Sequence, residues 1–356
     1  MRPVLKPALR RVWRDATTLQ LGVDPRRALV LSGLDEASAR FVESLDGTRD
    51  QKGLIAAAQQ TGLDEPTALR LLDLLAAGGA LDDAALATCS LHAFGREDRE
   101  RLAPDLASLS LVHATADGGV AALDRRHRAV VTVHGAGRVG AAVASLLAAA
   151  GVGHVVIDDP AAAQVSDASP AGFAPRDAGL SRAEAARSAL RRTSPGTATA
   201  PPAGQVRPSL VVLSTERPAD PGLRDSLMRA GVAHLLVGVR ETTGLVGPLV
   251  LPGKSACLRC CDLARTDRDP GWPQVAAQLA VGDGAPRRGA VAACDTVLAT
   301  AAGALAALQA LAFLDGQSEV PAIDGTFEVR LPSGVVRRRS WRPHPACGCH
   351  WGQAAG

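Results

Sequence analysis

The sequence predicts an α/β protein in two parts, a small winged-helix domain followed by a Rossmann-like domain. Three observations carry this. Two short strand patterns and three short helical patterns fill the first ninety residues. Further on, a β-branched run, a glycine turn and an Ala/Leu helix follow one another in "AVVTVHGAGRVGAAVASLLAAAG". Four of the seven cysteines stand in two tight pairs far apart in the chain. A length of 356 residues suits two or so domains with a sizeable core. With 47% apolar residues, 21% charged residues and a net charge of +3, the chain reads as a soluble globular protein, neither disordered nor polyanion-seeking. The basic N-terminus has no apolar segment behind it, so no signal peptide is expected. The apolar run 297–314 is Ala-rich and stands alone, and it reads as a buried helix, not a membrane span. The expected location is cytoplasmic.

In the N-terminal part, "TTLQLGVD" and "RRALVLSG" read as strands joined at the turn-former "DPR". "DEASARFVESLDG" then places Ala39, Phe41, Val42 and Leu45 on one helix side and stops at Gly47. "DQKGLIAAAQQTG" stops at Gly62; "DEPTALRLLDLLAAGG" opens on an acidic cap with Pro in its first turn and stops at Gly78 and Gly79. A small strand, "ALDD", closes the winged-helix pattern. Such modules often bind DNA, but Gly33 to Asp83 holds ten acidic residues against four basic ones. A duplex would be repelled, because phosphate binding depends on clustered Arg and Lys. A peptide added along a strand edge, with side chains in the groove beside the third helix, suits this surface better.

The stretches "LVLSGLDEASARFVESLDGTRDQKGLIAAA" and "LLDLLAAGGALDD" resemble the PqqD-like leader-recognition domain of ribosomal peptide maturation systems. The expected boundaries are 1–90 for this domain, 91–125 for a connector and 126–356 for the second domain. Within the connector, "REDRERLAPDLA" is a charged helix candidate and "TADGG" a turn.

In the second domain, Gly135, Gly137 and Gly140 form a G-x-G-x-x-G turn between strand and helix. The glycines permit a tight turn, close backbone approach and close helix packing, and the helix N-terminus can hold a phosphate. A second strand, "GHVVIDD", ends at Asp158 and Asp159, where an acid can hydrogen-bond a ribose. The run "AAAGVGHVVIDDPAAAQVSDASPAGFAPRDAGLSRAEAARSALRRTSP", continued through "SLVVLSTERP", "GPLVLPGKSACLRCC" and "RPHPACGC", resembles the ThiF/MoeB/HesA family of adenylating enzymes. The resemblance implies that ATP sits on the glycine turn with Asp159 on its ribose. It also exposes departures. Ala161 stands where the family has a second Asp. Ser166-Asp167-Ala168-Ser169-Pro170 stands for Ser-Asn-Leu-x-Arg, so a Pro replaces the phosphate-binding Arg. Arg182, after Gly179, replaces a Lys, and Thr215-Glu216-Arg217 replaces Thr-Asp-Asn. No Arg-Tyr-x-Arg-Gln segment precedes the turn. Adenylation needs Mg²⁺ and several cations around the α-phosphate, and one lost electrostatic donor costs a few kcal/mol. The nucleotide residues Gly135, Gly137, Gly140, Asp159, Arg182 and Glu216 are therefore read as vestigial, with Glu216 and Arg182 as chemically similar substitutes that leave ATP binding open.

Cys257 and Cys260 have C-x-x-C spacing, Cys347 and Cys349 have C-x-C spacing, and 86 residues lie between the pairs. Four thiolates brought together suit a closed, structural zinc site. The resemblance puts zinc at the same two places, but with C-x-x-C in the second. His350 or Cys261 is an alternative ligand. Cys294 reads as a core residue, Cys89 has no context, and Arg337, Arg338 and Arg339 read as a solvated strand edge.

This architecture resembles the Ocin-ThiF-like partner proteins of azole-forming peptide systems. The resemblance implies a protein that binds the precursor's leader peptide and presents the core to a separate YcaO-type cyclodehydratase, which spends the ATP. A homodimer is possible; nucleic acid and membrane are not expected partners. One rival is a working adenylyltransferase for a ubiquitin-like or sulfur-carrier protein. The other, a nicotinamide oxidoreductase, lacks a catalytic set, since Tyr is absent and Lys occurs only at Lys6, Lys52 and Lys254.

Overall fold

The computed structural model of the chain describes residues 1–87, 94–113, 115–204, 207–214, 220–281 and 292–349. The chain divides into two compact units, Met1–Asp124 and Arg125–Gly356.

The first unit opens with β1 (Pro3–Leu5), β2 (Arg11–Asp15), β3 (Thr18–Leu21) and β4 (Leu29–Leu31). β3 and β4 are the two strands legible in the sequence. β2 was hidden because all five of its residues are exposed, so it carries no in–out alternation. The three form an antiparallel sheet in the order β2-β3-β4. Helices α1 (Glu36–Glu43), α2 (Gln51–Gln60) and α3 (Glu65–Ala77) begin at Asp35, Asp50 and Asp64, whose carboxylates accept the N–H groups of Ser38, Gly53 and Thr67. They bury Phe41, Val42, Leu54, Leu72 and Leu75 against Leu19 and Leu21. β5 (Leu81–Asp83) returns to pair antiparallel with β1, followed by the short α4 (Ala84–Ala87). Several acids counted against DNA binding thus have local duties: three cap helices, Asp46 accepts the Thr48 N–H, and Asp82 and Asp83 are buried.

α5 (Arg96–Val112) extends well past the charged stretch that announced it and belongs to this unit. It is held from inside. Buried Lys6 lies 3.3 Å from the Asp82 carboxylate and donates to the Ser110 carbonyl, while Ser110 Oγ donates to Asp82 at 2.7 Å. α6 (Val120–Arg128) carries the chain into the second unit.

The second unit is one seven-stranded sheet. β6 (Val130–His134), β7 (His154–Asp158), β8 (Leu210–Ser214) and β9 (His234–Arg240) are parallel; β10 (Thr243–Val250), β11 (Gly325–Arg330) and β12 (Val335–Ser340) add antiparallel strands, giving the order β12-β11-β10-β9-β8-β6-β7. Its helices are α7 (Arg138–Ala149), α8 (Arg182–Thr193), α9 (Pro221–Arg229), α10 (Leu258–Thr266), α11 (Trp272–Val281) and α12 (Thr296–Leu314). α12 is long and apolar enough to cross a membrane, yet one face is buried on α7, β9 and β10, so it is a core helix on that side. Arg126 closes the entry to this unit with two 2.7 Å hydrogen bonds to buried Asp315. β6 separates β7 from β8, so the chain order reverses beside β6; ligands of open α/β sheets bind at such a switch point, outside the carboxyl ends of the strands.

Candidate functional site

The glycine turn lies at that switch point. β6 ends at His134, Gly135 takes φ +87°, and α7 starts after Gly137. A Cβ at Gly140 would lie 1.9 Å from the Gly135 carbonyl oxygen, so only glycine lets helix and turn approach this closely. Of the two acids ending β7, Asp158 pairs with the His134 ring at 2.8 Å. Asp159 turns inward: its carboxylate accepts Ala136 N–H at 2.7 Å and Ala161 N–H at 3.0 Å. It therefore ties the glycine turn to the loop that follows β7.

Arg182, in the first turn of α8, does not stand open to a phosphate. Its guanidinium grips Asp167 with two hydrogen bonds of 2.9 and 2.7 Å and lies 3.9 Å from Asp159. Asp167 thereby neutralises Arg182. A second guanidinium, overlooked in the sequence, stands nearby: Arg138 donates to the Ser166 carbonyl at 2.6 Å, the Cys294 carbonyl at 2.7 Å and Thr296 Oγ1 at 3.0 Å. Its position inside the glycine motif was the available signal. Ser214 ends β8 beside Gly140. Thr215, Glu216 and Arg217, expected next, lie outside the described residues, as do Cys89 and His350.

The four paired cysteines converge. Cys257 Sγ lies 3.7 Å from Cys260 Sγ and 3.4 Å from Cys347 Sγ; Cys260 Sγ lies 3.4 Å from Cys349 Sγ. All four sulfurs fall within 4.8 Å of one another, an arrangement that can hold a metal ion. A tetrahedral site with metal–sulfur bonds of about 2.3 Å has sulfur–sulfur edges of about 3.8 Å, so little movement is needed. Gly348, between the two thiols of the short C-x-C pair, takes φ +77°, a conformation that favours glycine. Backbone also points at the cluster, since His344 N–H donates to Cys260 Sγ at 3.3 Å. The hydrogen bond from Cys257 pulls Cys260 down to about 4 and pushes Cys257 up; burial pushes Cys349 and the neighbouring Cys261 up to about 12. Cys261 is buried outside the cluster. Cys294 packs on the main core, and β12 with Arg337, Arg338 and Arg339 is exposed throughout. Arg339 pairs with Glu328 at 3.1 Å, and Arg338 donates to the Pro321 carbonyl at 2.8 Å.

In the first unit, β2 and β4 are the sheet edges, and no described strand pairs with their outer sides. β4 runs beside α3: a Cβ at Gly78 would touch Leu29 at 2.9 Å, and Val30 and Leu74 are exposed. A hollow of about 570 Å³, lined by Trp13, Asp15, Thr17, Leu34, Glu36 and Ala39, lies between the β2–β3 turn and α1.

Comparison with known proteins follows the same line. A model of the ThiF family matches residues 110–349. No curated protein matches the chain. Among solved structures, E. coli MccB with succinimide is similar at a TM-score of 0.73 and 15% identity, covering 99% of this chain and 100% of that one. E. coli MccB with ATP is similar at 0.71 and 15%, covering 98% and 100%. The microcin C7 biosynthetic enzyme MccB in complex with N-formylated MccA is similar at 0.72 and 15%, again covering 98% and 100%. At this identity the likeness is one of fold.

Proposed function

Because the chain belongs to the ThiF family, we propose that it is a peptide-binding member whose adenylating chemistry has lapsed. It holds the leader of a ribosomal precursor peptide on the first unit, read as a PqqD-like winged helix, and presents the core to a YcaO-type cyclodehydratase in the cytoplasm. The observation that carries this reading is the Arg182–Asp167 grip. With Pro170 and Ala161 in place of a cation and a carboxylate, Arg182 is already neutralised by Asp167, and the second guanidinium nearby, Arg138, is engaged by the Ser166 and Cys294 carbonyls and Thr296. The leader would add to the outer edge of β4, with apolar side chains over Val30 and Leu74. Tethering then raises the local concentration of substrate at the enzyme without new catalytic groups.

Zinc is the metal this reading assigns to Cys257, Cys260, Cys347 and Cys349. Four thiolates leave no coordination position for water, so it would clasp the chain's end to α10 and take no part in a reaction.

A second reading, peptide adenylation, is favoured by one observation: the chain matches over its whole length an enzyme solved with ATP and with a peptide. One experiment separates the two. The full chain is titrated with labelled precursor peptides encoded beside its gene, and pyrophosphate exchange into ATP is measured with the same peptides. Binding weakened by Leu74→Glu, without exchange, supports presentation. Exchange at an ordinary enzymatic rate overturns it in favour of adenylation.

A further inference from the structure

β12 is the outer strand of the seven-stranded sheet, and no described strand pairs with its far side. All of its residues are exposed. Side chains alternate along a strand, so the register sorts them onto two faces. Gly244, Val329 and Val336 share the face that α12 covers, where a Cβ at Gly244 would meet Leu298 and Ala302 at 3.2 Å. Arg240, Arg330, Arg337 and Arg339 share the opposite face.

That face carries more positive charge than its own carboxylates satisfy. Glu328 takes Arg330 on one oxygen at 2.7 Å and Arg339 on the other at 3.1 Å. Arg337 stands directly opposite Glu328 in the register and finds both oxygens engaged. Among the described residues, neither Arg337 nor Arg240 has a hydrogen-bond or ion-pair partner. Two tryptophans brace the other guanidiniums. Arg240 and Arg265 lie 5.9 and 5.1 Å from the Trp272 ring, and Arg265 and Arg339 lie 5.2 and 5.8 Å from the Trp341 ring. Cations and rings thus alternate, at distances where the ring quadrupole attracts them. Each ring already carries two guanidiniums and Trp341 is 5% exposed, so neither is a free platform for a nucleic-acid base.

Charge complementarity names the occupant. An open strand edge pairs its N–H and C=O groups with another extended chain. A second copy of β12 would lay like charge on like charge. A strand with carboxylates at alternate positions sets one on Arg337 and the next on Arg339, about 6.8 Å apart along the strand. Arg338 faces the other way and serves the fold, donating to the Pro321 carbonyl and to Ser340 Oγ, each at 2.8 Å. Val335 continues the receptive face at 49% exposure, where an apolar residue fits.

We propose that β12 is a docking edge for an acidic, extended segment of a partner protein, which adds as a further strand with its carboxylates on Arg337 and Arg339. The edge belongs to the second unit, so this inference does not depend on leader binding at β4, and its test needs no precursor.

The full chain is titrated at low salt into a fluorescein-labelled heptapeptide, Thr-Glu-Thr-Glu-Thr-Val-Thr, and anisotropy is read. A peptide of the same composition with its glutamates adjacent turns them to opposite faces of a strand, and it should bind at least about tenfold more weakly. Arg337→Glu should weaken binding about tenfold to a hundredfold, the span of one hydrogen bond to a charged group. Arg191→Glu makes the same charge change on α8, which packs by β7 at the far end of the sheet order, and should leave binding within about twofold. Bound peptide should slow hydrogen exchange at residues 335–340. Melting temperatures show that both exposed replacements leave the fold intact. No binding, equal binding of the adjacent-acid peptide, equal effects of Arg337→Glu and Arg191→Glu, or unchanged exchange at 335–340 overturns the proposal. So does a single-stranded oligouridylate that binds the chain more tightly than the peptide and is lost on Arg337→Glu, which would make the edge a nucleic-acid contact.

Discussion

Asp167→Asn is the perturbation that most directly tests whether the cradle is closed by its own residues. Arg182 gives Asp167 two charge-assisted hydrogen bonds, and both side chains are largely shielded from water. Two unit charges about 4 Å apart interact by about 4 kcal/mol at the effective dielectric typical of such sites. Asparagine keeps one acceptor for the guanidinium and removes the charge. Asp159, 3.9 Å from Arg182, keeps its charge in the variant. The fold should lose about 1.5–3 kcal/mol, the range for a hydrogen bond to a charged group. A larger cost is not expected, since Asn Oδ1 can still accept the Gln164 N–H that Asp167 holds at 3.0 Å. The released charge should appear as anion affinity. Recovering about 1.4–2.8 kcal/mol of that attraction tightens MgATP binding about tenfold to a hundredfold. Isothermal titration of wild type and variant, with urea unfolding alongside, reads both effects. Tight MgATP binding by the wild type, or a stability loss with no gain in ATP affinity, would refute the idea that Asp167 silences Arg182.

Zinc should be present at one equivalent per chain by native mass spectrometry; Cys347→Ser or strong chelation should remove it and loosen the C-terminal segment, seen as faster hydrogen exchange at residues 341–349. Lys6→Met should destabilise the first unit by about 3–5 kcal/mol by urea titration, because it strands a buried carboxylate, whereas Lys6→Met with Asp82→Leu should recover most of the loss. A fragment of residues 1–90 lacks α5 and Ser110, so it should bind peptide less well than residues 1–124; equal binding would show that α5 is dispensable. Burial lowers the pKa of His234. The unfolded chain therefore takes up the proton first, and stability should fall as pH drops through about 6.5, a loss that His234→Gln should reduce in melting curves.

What could be read from the chain follows from where each signal resides. α1, α2 and α3 were legible because cap, apolar face and terminal glycine agree at each. β2 was not, since a strand exposed on both faces has no pattern. α6 was hidden among basic residues whose partner, Asp315, lies 189 positions away from Arg126. The cysteine cluster was legible from spacing, but its geometry was not: the left-handed conformation of Gly348 is a tertiary fact. The Arg138 contacts to Cys294 and Thr296 span more than 150 residues and leave no local trace.

The division between retained and lost family residues has a physical pattern. Gly140 is required by the Gly135 carbonyl, whether or not a phosphate ever binds. Asp159 is required by the Ala136 and Ala161 N–H groups, one of them within the glycine turn itself. These residues hold the sheet's switch point together whatever becomes of triphosphate chemistry. Ala161 and Pro170 occupy places whose family side chains serve the nucleotide and its metal, and no described contact here needs a charge there. A glycine fingerprint with its ribose acid therefore reports the scaffold, and the cations around it report the chemistry. By that measure Arg182 is the residue to test: its two hydrogen bonds to Asp167 make it a structural tie.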